Sequence, residues 1–184
     1  MDDKLYFSYA QIHNTIRGLA EEIRRSGFTP DLMVAIGTGG FIPARILKTY
    51  LDLPILTVGL KLYDEHNRPA GAPKKIQWID EVEKKLTGKN ILLVDEVDDS
   101  RTTLQYCLTE LLTHHPTEIA VGILHNKRKP KRGCYPSAVS KIFIGQEIED
   151  RWVVYPWDAI DIDAHEELAR EAARRTSGGG QRSL

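Results

Sequence analysis

Cysteine is scarce in this 184-residue sequence, which contains only Cys107 and Cys134. Two thiols so far apart are too few for a metal cluster of cysteine ligands, and Cys107 falls within a predicted helix. We therefore expect both cysteines to be reduced thiols. Reduced thiols are typical of a reducing compartment, so we expect a cytoplasmic protein.

Long apolar runs and an excess of one charge are also missing. No stretch is apolar over the length that a membrane span needs, and the acidic start Met1-Asp2-Asp3 does not resemble a signal peptide. The 25 Lys and Arg residues nearly balance the 26 Asp and Glu residues, which leaves a net charge of −1. This balance gives no general attraction to anionic surfaces, so we expect neither a membrane nor a nucleic acid as partner.

The length allows one domain with a sizeable hydrophobic core. We predict a single domain over residues 1–175 and a disordered tail over residues 176–184, where Ser and Gly are frequent. Ser8 and Gln11 have the spacing of a capping box at the start of the first helix. Apolar periodicity predicts helices over 8–26, 42–51, 102–113 and 159–175, and strands over 32–36, 55–62, 75–79, 91–94, 119–124 and 141–148.

The most informative stretch is residues 91–103, where a buried strand changes abruptly into a polar segment. Four apolar residues are followed by four acids: Asp95, Glu96, Asp98 and Asp99. Ligands of open α/β sheets bind at the carboxyl ends of strands, which is where these acids lie. Four like charges so close together are costly unless a cation or ligand hydroxyls compensate them. The cluster therefore indicates a site for hydroxyl groups or a metal ion.

The same stretch continues with polar residues at the start of a predicted helix: Ser100, Arg101, Thr102 and Thr103. Hydroxyls and free backbone N–H groups at a helix start bind anions such as phosphate. The alternative is an ordinary strand–turn–helix in which Ser and Thr only cap the helix. Because the acids lie directly upstream, we favour a site for a sugar phosphate that also carries a metal-bound group.

A second candidate anion site follows the predicted strand over residues 32–36. Gly37-Thr38-Gly39-Gly40 joins that strand to a helix, and glycine lets a ligand approach the backbone closely. The loop matches neither a Walker loop nor a dinucleotide fingerprint, and a plain tight turn is the alternative. Residues 63–73 are polar and contain Pro and Gly, which is typical of a lid over a site or of a surface hairpin.

Two later segments carry candidate binding residues. Lys127 directly follows a strand end and opens a basic run over residues 127–132, which is either a solvated loop or a small nucleic-acid patch. Residues 150–158 contain two Trp and one Tyr, and an aromatic ring stacks on a planar base for about 1–3 kcal/mol. Core packing is the alternative for these aromatics, and we favour it for Trp157.

Residues 91–103 resemble the signature that binds phosphoribosyl pyrophosphate (PRPP) in type I phosphoribosyltransferases. Residues 95–96 match its acid pair, Asp99 matches its later acid, and residues 100–103 match its phosphate loop. The glycine-rich loop after the earlier strand is similar to the pyrophosphate-binding loop of purine phosphoribosyltransferases. By this resemblance, we assign pyrophosphate binding to four residues: Thr38, Gly39, Gly40 and Arg45.

The sequence departs from these family patterns at three positions. Asp98 replaces an apolar residue, and Arg101 stands where many members have Gly. Thr38 takes the place of a Lys or Arg that precedes the two glycines in many members. Arg45, about one turn into the following helix, is our candidate for the missing basic contact.

The resemblance covers residues 5 to about 170 and implies the type I phosphoribosyltransferase fold. This α/β fold has a mainly parallel sheet flanked by helices, a small hood formed by the chain ends, and a flexible lid loop. We place the lid at about residues 63–74, with Tyr63 at its start, and the base-binding segment at about residues 125–158.

The base-binding segment is similar to that of 6-oxopurine phosphoribosyltransferases, and most of all to the xanthine-accepting branch. Lys127 matches a lysine that donates to the exocyclic oxygen of the purine. Trp152 matches the base-stacking aromatic, and Val153 belongs to the stretch whose main chain reads the purine's two-position. An ammonium can only donate, so Lys127 argues against adenine, whose exocyclic amine prefers an acceptor.

The implied reaction transfers the 5-phosphoribosyl group from PRPP to xanthine, guanine or hypoxanthine, giving the nucleoside monophosphate and pyrophosphate in purine salvage. We expect Asp95 and Glu96 to hold the ribose hydroxyls and Asp99 to act as general base. Mg²⁺ is the expected cofactor, with Glu96 and Asp158 as its protein ligands. The 5′-phosphate is expected to bind five residues: Asp99, Ser100, Arg101, Thr102 and Thr103.

A regulator that keeps this fold and binds PRPP or a nucleotide without catalysis is the alternative. The complete acid pair and the base-stacking segment argue against it, and a regulator of nucleic acid needs a larger basic face. The resemblance also implies a homo-oligomer, either a dimer or a tetramer.

Overall fold

The protein is described by a computed structural model that covers residues 3–63 and 69–178. The helices are α1 (Tyr9–Arg25), α2 (Phe41–Leu51), α3 (Val82–Leu86), α4 (Thr102–Leu112) and α5 (Ile162–Gly178). The strands are β1 (Lys4–Tyr6), β2 (Leu32–Gly37), β3 (Ile55–Tyr63), β4 (Pro69–Gln77), β5 (Asn90–Asp98), β6 (Glu118–Lys127), β7 (Val139–Ile148) and β8 (Trp152–Val154). Pro156–Asp158 forms one 3₁₀ turn.

The chain divides into two compact units. The central unit comprises residues 15–149, and the terminal unit comprises residues 1–14 and 150–184. The sequence predicted one domain over residues 1–175, with the chain ends forming a hood, and the hood stays a prediction. Residues 176–178, predicted as the start of a tail, belong to α5, and residues 179–184 lie outside the described part of the chain.

The central unit contains a six-stranded sheet in the order β4-β3-β2-β5-β6-β7. All neighbouring strands are parallel except β3 and β4, which pair antiparallel. The central strands β5 and β6 are buried almost continuously, as expected for parallel strands whose two faces are both covered. The predicted α/β fold with a mainly parallel sheet flanked by helices is confirmed.

The core of the central unit lies between this sheet and α4. Val34, Leu93 and Val121, from three adjacent strands, pack with Leu104 and Leu108 of the helix, and all five are at most 1% exposed. Burial of one such side chain stabilises the fold by about 1.5–3 kcal/mol. This packing fixes α4 against the sheet and thereby fixes the start of α4 beside the end of β5.

The terminal unit pairs the two chain ends in a small parallel sheet. Lys4 lies opposite Trp152, and Tyr6 lies opposite Val154. His165 of α5 approaches the carbonyl of Phe7 through Nε2 at 3.0 Å. None of the helices within residues 3–63 and 69–178 has the length and apolar character that crossing a membrane requires.

The segment between β3 and β4 differs from its prediction. Tyr63 is the last residue of β3, and a returning strand begins at Pro69, six residues before the predicted one. The loop predicted over about residues 63–74 is therefore strand from residue 69 onwards. Residues 64–68 lie outside the described residues, so the lid stays a prediction.

Candidate active site

The carboxyl ends of β2 and β5 form one edge of the central sheet, because the two strands are parallel neighbours. A cavity of about 240 Å³ lies at this edge. Its walls come from the end of β2, from β3 and from the whole turn between β5 and α4. The lining residues are Ile36, Gly37, Leu60, Asp95, Glu96, Val97, Asp98, Asp99, Ser100, Arg101, Thr103 and Leu104. The structure thus brings the predicted acids and part of the predicted phosphate loop to one cavity.

The acid pair, Asp95 and Glu96, lies at this edge with unequal burial. Asp95 is only 6% exposed, and its Oδ1 accepts a hydrogen bond of 3.0 Å from the backbone N–H of Glu96. Burial first, and then the negative charge of Glu96, hold the pKa of Asp95 well above its ordinary value. The pair therefore favours any ligand that supplies positive charge or hydroxyl donors.

The glycine-rich loop after β2 packs directly against this acid pair. A Cβ atom on Gly39 would overlap the carboxylate of Glu96. A Cβ atom on Gly40 would lie 2.6 Å from the carbonyl oxygen of Ile36 and 2.8 Å from that of Val94. The two glycines are required because the loop backbone and the end of β5 approach so closely.

The other two residues predicted to bind pyrophosphate, Thr38 and Arg45, are in different environments from the two glycines. Thr38 forms a cis peptide bond with Gly37, and its carbonyl accepts a hydrogen bond of 3.2 Å from the N–H of Phe41. Arg45 is exposed on α2 and donates to the hydroxyl of Thr49 at 3.3 Å. Its guanidinium therefore points along its own helix, and Arg45 is not among the cavity residues.

Asp99 and Lys127, which the sequence placed in different roles, are in contact. The Nζ of Lys127 lies 3.1 Å from Oδ1 of Asp99, and the Nζ of Lys129 lies 2.7 Å from the same oxygen. Partial burial alone would raise the pKa of Asp99, but the hydrogen bonds and charges of the two lysines outweigh it and lower the pKa. Asp99 is therefore ionised at neutral pH. From the sequence alone, Lys129 was recognised only as part of a basic run.

Asp98 does not share the environment of the other acids. Its side chain is fully buried, and Oδ2 accepts hydrogen bonds from Nε of Arg101 at 2.8 Å and from the hydroxyl of Tyr135 at 3.3 Å. The Nζ of Lys131 lies 3.6 Å from its Oδ1. Arg101, Lys131 and Tyr135 of the protein itself therefore compensate Asp98, so this acid does not require a metal ion or ligand hydroxyls.

The turn from β5 into α4 keeps its hydroxyl groups near the cavity. Arg101 occupies the position before the helix with a φ of 65° and makes no side-chain capping hydrogen bond. The Ser100 hydroxyl donates to that of Thr102 at 3.1 Å, and the N–H of Thr102 reaches Ser100 Oγ only at 3.5 Å. Ser100 and Thr103 line the cavity. The hydroxyl groups of this turn therefore do not cap α4 in the ordinary way.

The remaining predicted site residues belong to the terminal unit. Trp152 is 68% exposed, Val153 is half-buried beside it, and Asp158 is exposed at the end of the 3₁₀ turn. Trp157 stacks on Tyr155 with ring centroids 4.3 Å apart, which agrees with the packing role favoured for it.

A parallel α/β sheet whose strand ends present a glycine-rich loop, an acid pair and a hydroxyl-rich turn defines a site for a phosphorylated sugar or nucleotide. A family model described as "Phosphoribosyl transferase domain" matches residues 8–159. The chain therefore belongs to the phosphoribosyltransferase family, and the resemblance seen in residues 91–103 is confirmed.

Several relatives match nearly the whole chain. Hypoxanthine-guanine phosphoribosyltransferase of Schizosaccharomyces pombe is 40% identical over 89% of this chain and 93% of its own. Xanthine phosphoribosyltransferase 1 of Saccharomyces cerevisiae is 36% identical over 92% of this chain and 96% of its own. A solved structure of a protein from Neisseria gonorrhoeae with bound ppGpp is 46% identical, has a TM-score of 0.86, and covers 93% of this chain and 98% of its own.

Proposed function

We propose that this protein transfers the 5-phosphoribosyl group from PRPP to a 6-oxopurine base in purine salvage. The contact between Lys127 and Asp99, 3.1 Å apart at the ends of adjacent strands, carries this proposal. It supports the proposal because an ammonium, which can donate to the purine's oxygen, lies next to a carboxylate, which can accept the ring proton. The curated relatives are named as hypoxanthine-guanine and xanthine transferases, so we favour an enzyme over a non-catalytic regulator.

In the proposed reaction, a nitrogen of the purine's imidazole ring attacks the anomeric carbon of PRPP. The bond from this carbon to the pyrophosphate oxygen breaks, pyrophosphate leaves, and the ring proton passes to the carboxylate of Asp99. When Lys127 donates to the purine's oxygen, the carboxylate of Asp99 loses one of the two ammonium groups that contact its Oδ1. The pKa of Asp99 then rises, so base binding itself makes Asp99 a better proton acceptor.

Asp95 and Glu96 are the proposed partners of the ribose hydroxyls. The oxygen donors of this pair also fit Mg²⁺, which usually takes one or two carboxylates and completes its shell with water and substrate phosphates. When bound, Mg²⁺ neutralises charge that develops on the leaving pyrophosphate. The family supports a metal requirement, and the raised pKa of Asp95 supports a cation or hydroxyl partner here.

The phosphate groups are assigned to the two loops at the strand ends. Gly39 and Gly40 offer their backbone to the pyrophosphate, and residues 99–103 offer hydroxyl and N–H groups to the 5′-phosphate. Arg45 requires a different rotamer from the one observed to take part. Three roles stay predictions: base contact by Trp152 and Val153, metal ligation by Asp158, and closure of a lid that starts at Tyr63. A dimer or tetramer stays a prediction as well.

A nucleotide assay with four bases tests the proposed function. We expect PRPP-dependent product from xanthine and guanine, less from hypoxanthine, and none from adenine, because a site that hydrogen-bonds a group rejects analogues that lack it. Lys127→Met removes one charged hydrogen bond and should lower kcat/KM about 10–100-fold for all oxopurines together. Arg128→Met is the matched control, because this neighbouring cation is exposed.

The result has clear consequences for each part of the proposal. No product with any base would contradict the transferase activity. Good use of adenine would contradict the role of Lys127, and hypoxanthine as the best substrate would contradict the xanthine preference alone.

The relative solved with ppGpp suggests a second ligand for the same site. We infer that ppGpp, which carries a guanine base and two pyrophosphate groups, binds at the cavity that PRPP uses. The same assay measures this effect, since ppGpp should raise the apparent KM for PRPP without changing kcat. Inhibition that PRPP does not relieve would contradict a shared site.

A further inference from the structure

A short segment outside the cavity holds the backbone of the phosphate loop. We name residues 131–135 the brace and residues 98–103 the phosphate loop. The Nζ of Lys131 donates to the carbonyl oxygens of Asp98 at 2.5 Å and of Asp99 at 3.1 Å. The backbone N–H groups of Arg132 and Gly133 donate to the carbonyl oxygen of Ser100 at 3.1 and 3.0 Å. Three successive carbonyl groups of the loop are therefore fixed by the brace.

Fixing these carbonyl groups also fixes the direction of three N–H groups. The peptide bond is planar and trans, so the carbonyl of one residue and the N–H of the next point in opposite directions. The N–H groups of Asp99, Ser100 and Arg101 therefore point away from the brace. Successive N–H groups that point to one side form an anion-binding concavity.

Side-chain contacts also join the brace to the phosphate loop. The guanidinium of Arg101 lies 4.1 Å from the ring centre of Tyr135 and pairs with the buried carboxylate of Asp98 at 2.8 Å. Gly133 permits the close approach, because a Cβ atom there would lie 2.6 Å from the carbonyl oxygen of Arg101. The side chain of Lys131 is only 10% exposed.

This environment changes the interpretation of the basic run over residues 127–132. A solvated loop or a nucleic-acid patch requires accessible cations. The side chains of Lys127, Lys129 and Lys131 are instead 11%, 25% and 10% exposed and all reach Asp98 or Asp99. The positive charges of these three lysines therefore lie against the acids of the loop at the end of β5.

We propose that the brace is the positioning element of the 5′-phosphate site, with Lys131 as its principal residue. Lys131 does not touch the phosphate in this proposal. It holds the phosphate loop in the conformation in which the N–H groups face the phosphate, so the loop does not have to become ordered when the phosphate binds. The inference rests on the proposed function, because it assumes that the phosphate loop receives the 5′-phosphate of PRPP.

Binding of two fragments of PRPP distinguishes a specific effect on the 5′-phosphate site from a general loss of structure at the whole site. Ribose 5-phosphate carries the 5′-phosphate, and pyrophosphate represents the leaving group. We would measure the dissociation constants of both by calorimetry in the presence of MgCl₂ for the wild type, Lys131→Met and Arg128→Met. Arg128 is the matched control, because its side chain is exposed and it lies outside the brace.

We expect Lys131→Met to weaken ribose 5-phosphate about tenfold, as for the loss of a charged hydrogen bond, and to leave pyrophosphate within about twofold. Arg128→Met should change neither constant. Gly133→Ala, which pushes directly on the Arg101 carbonyl, should weaken ribose 5-phosphate in the same selective way.

The proposal is overturned if Lys131→Met binds ribose 5-phosphate as the wild type does, or if it loses both fragments equally. If the wild type binds neither fragment, the proposed function fails and this inference fails with it. Binding by the wild type with no selective effect in Lys131→Met rejects the brace alone.

Discussion

The carboxylate of Asp99 lies between two cations, the ammonium groups of Lys127 and Lys129. Lys127 and Lys129 lower its pKa below the ordinary aspartate value of 3.8, so it is ionised throughout the physiological range. An ionised carboxylate is in the correct protonation state to accept a proton, but a low pKa makes it a weak base. In the proposed mechanism, transfer of Lys127 from Asp99 to the purine would resolve this conflict, because Asp99 would become a stronger base only when the substrate is present.

Asp99→Asn tests this residue most directly. The amide keeps the size of the carboxylate but accepts no proton at neutral pH, so we expect turnover to fall about 10²–10⁴-fold. PRPP affinity should change much less. Steady-state kinetics with a PRPP titration measure both effects, and Asp80→Asn, an exposed aspartate outside the site, is the control. Wild-type turnover in Asp99→Asn would exclude Asp99 as the general base.

Elements with strong local signals were predictable from the sequence. The capping box is present, since the N–H of Ser8 donates to Gln11 Oε1 at 2.7 Å and the N–H of Gln11 donates to Ser8 Oγ at 3.1 Å. The apolar residues before Asp95 lie in β5, as predicted, because a parallel central strand is buried on both faces.

Elements that depend on distant partners were not predictable. β1 and β8 have three residues each and exist because Lys4 and Trp152, at opposite ends of the chain, lie side by side. A three-residue strand leaves no periodicity to read. The same limit applies to the site. The motif residues were found because they are contiguous, whereas Lys129, Lys131 and Tyr135 reach residues 98–101 from another part of the chain.

The loop between β2 and α2 offers a test at the level of an element. Gly39→Ala places a methyl group where the Glu96 carboxylate lies, so either the loop or the acid must move. We expect kcat/KM for PRPP to fall at least about tenfold, because misplaced catalytic groups lose much of their effect. The matched control is Gly18→Ala in α1, where a Cβ atom meets nothing within 4 Å.

In a helix interior, alanine is favoured over glycine by about 0.5–1 kcal/mol, so Gly18→Ala should be fully active and slightly more stable. Unchanged PRPP kinetics in Gly39→Ala would show that the contact between the loop and Glu96 is not needed for catalysis.

At the scale of the whole molecule, ligand binding should raise the free energy of unfolding. Asp95 and Glu96 at the end of β5 repel each other, and Asp95 is buried, so a bound cation should stabilise this pair. PRPP with Mg²⁺ at about 100 times its dissociation constant should add about 2.7 kcal/mol to the free energy of unfolding. For a chain of this length we expect the melting temperature to rise roughly 5–10 °C.

Thermal unfolding with and without EDTA measures this effect. We expect EDTA to remove most of the shift, and Glu96→Gln to reduce it, whereas Glu21→Gln, on the exposed face of α1, should retain it. A full PRPP-induced shift in EDTA would contradict the proposed metal requirement.

The pairing of Asp98 with Arg101 has a consequence for how such sequences diverge. The two residues stand at positions where the family pattern has an apolar residue and, in many members, a glycine, and the structure joins them at 2.8 Å. A buried carboxylate that loses its guanidinium costs about 3–5 kcal/mol. We therefore expect the two positions to change together in related sequences. A lineage that replaces the arginine should also replace the aspartate.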